Sequence, residues 1–184
     1  SLDGENFHEE EEILILDNNC RKKLGWPHRT DAFPQPWIIG ERKPGHSLAL
    51  RFSFESKTEL TGAMLAIEDA EKLEIALNGE PVKNEISGYY VDEAIKTVRL
   101  PKILRGKNIL TVSMPFGLDT NTEWCYILGE FGVSVRGSEA VITEKTDKIG
   151  FSDITAQGLP FYGGNLRYSY EINVSECAAV MQLS

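Results

Sequence analysis

Large apolar residues take every second position through Leu48-Ala49-Leu50-Arg51-Phe52-Ser53-Phe54-Glu55, at 48, 50, 52 and 54. A period of two belongs to a strand with one buried face. The alternation recurs over 73–77, and over 96–100 it sets Val98 and Leu100 on one side. It returns over 166–174, where Leu166, Tyr168, Tyr170, Ile172 and Val174 share a face. Residues 63–67, 109–114, 131–135 and 140–143 are apolar runs of strand length. Ile13-Leu14-Ile15-Leu16 lies between the acidic run 9–12 and Asp17-Asn18-Asn19. Its brevity and β-branching predict a buried strand. Residues 101–106 predict a short turn of helix that ends at Gly106.

Asn78-Gly79 separates two apolar segments, and both residues tolerate positive φ, so a tight hairpin is expected there. Residues 68–77 are rich in Glu, Ala, Lys and Leu and compete as a helix. The Asn-Gly corner and the neighbouring strands favour the hairpin. Nowhere does an i, i+3, i+4, i+7 apolar stripe persist beyond about three turns. About nine short strands with turn signals between them predict an all-β, antiparallel sandwich.

The first dozen residues are polar and end in adjacent carboxylates that repel one another, as in a solvated tail or linker. Residues 25–45 carry Pro27, Pro34, Pro36 and Pro44 but also Trp26, Phe33 and Trp37. Aromatics in such a segment indicate a loop packed on a core. The expected organisation is therefore a linker and packed loop over 1–46, a sandwich over 47–148, and a C-terminal strand segment over 149–184.

Charge and composition narrow the functional classes. The 184 residues carry a net charge of −9, which opposes binding to a phosphate backbone. The 41% hydrophobic and 26% charged content is that of a globular chain. No segment approaches the ~20 apolar residues of a membrane helix, so no membrane span is expected. No basic stretch followed by an apolar one opens the chain, so no signal peptide is expected in it; the compartment stays open. The cysteines Cys20, Cys125 and Cys177 are odd in number and widely spaced, which favours free thiols over disulfides or zinc. His8, His28 and His46 are isolated from one another, and no metal role is expected of them.

Two stretches resemble a known family. IEDAEKLEIALNGEPV (67–82) and GYYVDEAIKTVRLPKILRGKNILTVSMPF (88–116) are similar to the galactose-binding-like jelly roll. Such domains accompany family 2-type glycoside hydrolases and α-L-rhamnosidase-like enzymes. EEILILDNNC (11–20) and NTEWCYILGEFGV (121–133) resemble the segments that lead into such a domain and close its first sheet. GLPFYGGNLRYSYEINV (158–174) resembles the opening of a second, truncated jelly roll, so the chain is expected to be a piece of a larger protein. The resemblance implies a non-catalytic module that packs on adjacent domains of its polypeptide, with catalysis elsewhere. A free-standing carbohydrate-binding module and a protein-interaction or adhesion sandwich stay open as alternatives.

Glu68, Asp69, Asp92, Glu123 and Glu130 are the carboxylates from which a glycosidase pair could be drawn. Strand-borne carboxylates are more often solvated or structural, so no catalytic residue is assigned. Asp119, Asn121 and Glu123 alternate oxygen side chains as a structural calcium site would. They lack the glycine and distal bidentate glutamate of a known calcium loop, and a polar turn is the expected reading. No other cofactor is expected: glycine-rich phosphate cradles and a G-x-S-x-G elbow are absent. For oligosaccharide, the candidate platform is Trp37, Tyr90, Trp124 and Tyr126, since sugar sites join aromatic surface to a few planar polar groups.

Overall fold

The computed structural model describes residues 1–29, 42–169 and 171. They form two units, Ser1–Glu130 and Phe131–Ser184. The first holds strands β1 (His46–Ser56), β2 (Met64–Glu68), β3 (Glu74–Leu77), β4 (Glu80–Pro81) and β5 (Ile86–Tyr90). It continues with β6 (Asp92–Arg99), β7 (Gly106–Phe116) and β8 (Tyr126–Leu128). Within this unit one sheet runs β4-β3-β7-β1 and the other β5-β6-β2-β8. All of its strand pairs are antiparallel. The unit is thus an all-β sandwich.

Strands β1 and β7 form its longest ladder, pairing Leu48 with Met114, Leu50 with Val112, Phe52 with Leu110 and Phe54 with Asn108. The predicted alternation sets this register, because a slip of one residue would turn every large side chain to solvent. Leu48, Leu50, Leu110, Val112, Met114 and Phe116 are buried from this sheet, and Leu65, Ile67 and Val98 from the other. Strand β2 is buried through Leu65, Ala66 and Ile67 because β6 and β8 flank it on both edges.

Asn78 and Gly79, at φ 53° and 82°, form the expected two-residue corner between β3 and β4, with Leu77 paired to Glu80. The competing helix over 68–77 is reduced to a 3₁₀ turn, Ala70–Lys72, between β2 and β3. Residues 101–106 do not form the expected helical turn. Ile103 is fully buried and pairs with Leu60 by two backbone hydrogen bonds of 2.9 and 3.0 Å. The buried amide of Asn108 holds this turn, accepting from the Leu104 N–H and donating to the carbonyls of Leu104 and Gly106.

The largest departure from expectation is at residues 13–16, which open a helix, α1 (Ile13–Lys23). Its caps explain this. The Glu12 carboxylate accepts from the N–H groups of Leu14 and Ile15, and Arg21, Lys22 and Lys23 face the negative end of the helix dipole. The buried positions are Ile13, Asp17, Cys20 and Arg21, which lie at helical spacing, while Leu14 and Ile15 are exposed. The inward face is therefore half polar, and an apolar-run argument could not find it. No helix among the described residues is long and apolar enough to cross a membrane.

The polar N-terminus is tied down. Leu2 is buried opposite Leu48, and Asp3 accepts from the Ser47 N–H and pairs with His46. Glu9, Glu10 and Glu11 are exposed, as a solvated run should be.

The second unit carries a hairpin of β9 (Gly132–Arg136) and β10 (Glu139–Thr143), followed by a 3₁₀ turn at Ile154–Ala156. Gln157 binds back to Gly150 and Ser152 through its side-chain amide. The strand expected over 166–174 does not form over its described residues 166–169. Tyr168 instead packs on Phe151 and donates to the Gly150 carbonyl. Tyr170, Ile172 and Val174 lie outside the described residues.

Candidate ligand-binding site

Of the expected aromatic platform, Trp37 lies outside the described residues. The other three are in the first unit and exposed: Trp124 by 53%, Tyr126 by 44% and Tyr90 by 37%. Tyr90 and Tyr126 meet with ring centroids 5.5 Å apart and planes inclined at 52°. Tyr90 ends β5 and Tyr126 begins β8, the two edge strands of one sheet, so the fold joins residues 36 positions apart in sequence (126 − 90). Register shifts bend the β5–β6 ladder before and after Gly88-Tyr89, and Val91 at the hairpin tip holds φ 62°. A β-branched residue at positive φ is strained backbone. This bent tip carries Tyr90, with Tyr89 and Val91 beside it and also exposed.

Between Trp124 and Tyr126, Cys125 turns away from solvent, and burial pushes its thiol up to about 11. It is a free, half-buried thiol whose neutral form that burial favours. Cys20 is likewise free and raised by burial; Cys177 lies outside the described residues. Trp26 is a packing residue, stacked on Phe116 and edge-on to His46, each at 5.5 Å.

A second feature, which the sequence did not suggest, is a cavity of about 250 Å³ in the first unit. Leu50, Phe52 and Met114 from one sheet and Ile67 from the other line its apolar part. Its polar edge comes from the end of β2, the 3₁₀ turn and the loop 117–123. That loop is held from the N-terminal segment. Arg21 donates to the carbonyls of Leu118 and Thr120, and Arg29 to that of Thr122. The loop opens in a turn, with the Thr120 N–H on the Gly117 carbonyl at 3.1 Å, and two arginines grip three of its carbonyls.

The calcium candidates Asp119, Asn121 and Glu123 all line this cavity. Each has a partner. Arg29 pairs with Glu123 at 2.5 Å and also bonds Asn121, whose amide donates to Glu68 at 3.0 Å. Asp119 faces Arg42 at 4.0 Å. Guanidinium groups stand at oxygens that a calcium ion would need, and no three His, Cys, Asp or Glu side chains among the described residues group to hold a metal.

The carboxylates considered for catalysis are similarly occupied. Asp69 pairs with Lys72 at 2.8 Å and holds that ammonium above its ordinary range, while Asp92 accepts from the Ala94 N–H. No family model, curated protein or solved structure matches the chain.

Proposed function

We propose that this chain is a non-catalytic module that holds carbohydrate on the exposed aromatic surface of Tyr90, Tyr126 and Trp124. The observation that carries this reading is the Tyr90–Tyr126 pair, two exposed rings 5.5 Å apart at the ends of the two outer strands of one sheet. Exposed aromatic rings offer rigid apolar area beside a polar hydroxyl, which suits the C–H face and the hydroxyl edge of a sugar ring. The strained Val91 tip supports the reading, because strain is kept where a side chain must be aimed.

The two-sheet architecture and the motifs at 67–82 and 88–116 extend the proposal to the type of module. In that reading it is a galactose-binding-like jelly roll, accessory to a glycoside hydrolase, packing on neighbouring domains of one polypeptide. The partnered carboxylates Glu68, Asp69, Asp92 and Glu123 act as structural groups in it.

Native electrophoresis through gels containing galactan, arabinan, xylan or rhamnogalacturonan tests the surface. The intact chain should be retarded by at least one of them. Tyr126→Ala should lose most of that retardation and Tyr90→Ala a good part, with both variants keeping the parental melting temperature, because both side chains are exposed. Retardation that survives in both would exclude the tyrosine pair.

A further inference from the structure

We propose that the cavity lined by Phe52 and the loop 117–123 is a second binding site, separate from the aromatic surface, and that it takes one small polyol, a ring or short chain with vicinal hydroxyls and an apolar face. Size sets the first limit. At about 250 Å³ the cavity falls below the ~300–1,000 Å³ typical of sites for drug-sized ligands, so it admits one ring and not a chain of them.

Charge sets the second. Glu68, Asp69, Asp119 and Glu123 line the cavity, which alone would favour a cation. Each, however, is already matched: Glu68 by the Asn121 amide, Asp69 by Lys72, Asp119 by Arg42 and Glu123 by Arg29. Four carboxylates against three cations, two of them (Arg42 and Lys72) in the lining and the third (Arg29) behind Glu123, leave one net negative charge, partly exposed and so a weak pull on an ammonium.

What the rim keeps is hydrogen-bonding capacity. A carboxylate that gives one oxygen to its partner retains the other as an acceptor, and a guanidinium or ammonium has N–H groups to spare. Planar donors and acceptors alternating around an opening match vicinal hydroxyls, each of which both donates and accepts. Beneath them Leu50, Phe52, Ile67 and Met114 offer an apolar floor to the C–H face of the same ligand. An amine would engage only the acceptors of the rim and a carboxylate only its donors, whereas a diol engages both. The grip of Arg21 and Arg29 on the loop carbonyls fixes the rim before a ligand arrives.

Backbone amide shifts of the isotope-labelled full chain, titrated separately with D-galactose, D-glucose, myo-inositol, butylamine and acetate, test the proposal. At least one polyol should give saturable shifts at 67–72 and 117–123, with Kd on the order of 1 mM, as expected for so few atoms. Asn121→Ala combined with Asp119→Asn should weaken binding at least tenfold while the remaining spectrum shows an intact fold. Tyr126→Ala should leave it unchanged, which separates this site from the aromatic surface and its failure from the failure of that reading. Saturation at these amides by butylamine or acetate alone, no saturation by any polyol, or equal polyol binding by the double variant would each overturn the proposal.

Discussion

Cys125 shows how one residue can look chemical in sequence and be structural in place. It stands between two exposed aromatics, yet its own side chain is half-buried, and that burial disfavours the thiolate. Against an ordinary thiol near 8.5, a value of about 11 lowers the thiolate fraction at pH 8 by roughly two orders of magnitude. Iodoacetamide at pH 8, followed by peptide mapping, should therefore label Cys125 about a hundredfold more slowly in the folded chain than in denaturant; equal rates would mean that the thiol is not buried. Asn108 is polar yet fully buried, bonded to the turn at 104–106 and to Asn78 across the hairpin corner. Trp37 and Cys177 lie outside the described residues.

Among the elements, strands whose alternation is driven by one buried face were readable before any coordinates. β1 keeps the expected alternation, β7 forms over the expected run 109–114 and extends beyond it at both ends, and Asn78-Gly79 turns where two residues able to hold positive φ must turn. Helix α1 was not readable by the same method, because its buried face is built on a charge pair. Asp17 and Arg21 are four residues apart and almost wholly buried, joined at 2.9 Å, while the other Asp17 oxygen has no hydrogen-bond partner. The signs that could have found it were polar: the Glu12 cap, the i, i+4 pair and three basic residues in the last turn. The cavity was not legible in the sequence for a related reason. Its rim is assembled from segments about 50 residues apart, such as Glu68 and Asn121, and no local motif announces it. Arg21→Met should destabilise the chain by about 3–5 kcal/mol, since it strands a buried carboxylate and removes the donors to Leu118 and Thr120. Adding Asp17→Leu should recover much of that loss in urea unfolding; a single variant as stable as the parent would mean the pair is not buried as described.

At the scale of the whole molecule, a net charge of −9 opposes binding to a phosphate backbone. The all-β sandwich was anticipated from alternation, short apolar runs and turn signals; the pairing of Tyr90 with Tyr126 was not, because it depends on how the edges of one sheet are bent. That pairing is where the functional account rests. A glycan array probed with the purified chain, with tryptophan fluorescence followed on each bound glycan, tests it most directly. The account predicts saturable binding to at least one oligosaccharide, with a fluorescence change that Trp124→Phe abolishes. An array on which nothing binds would contradict it, and would leave the sandwich as a packing domain with no carbohydrate of its own.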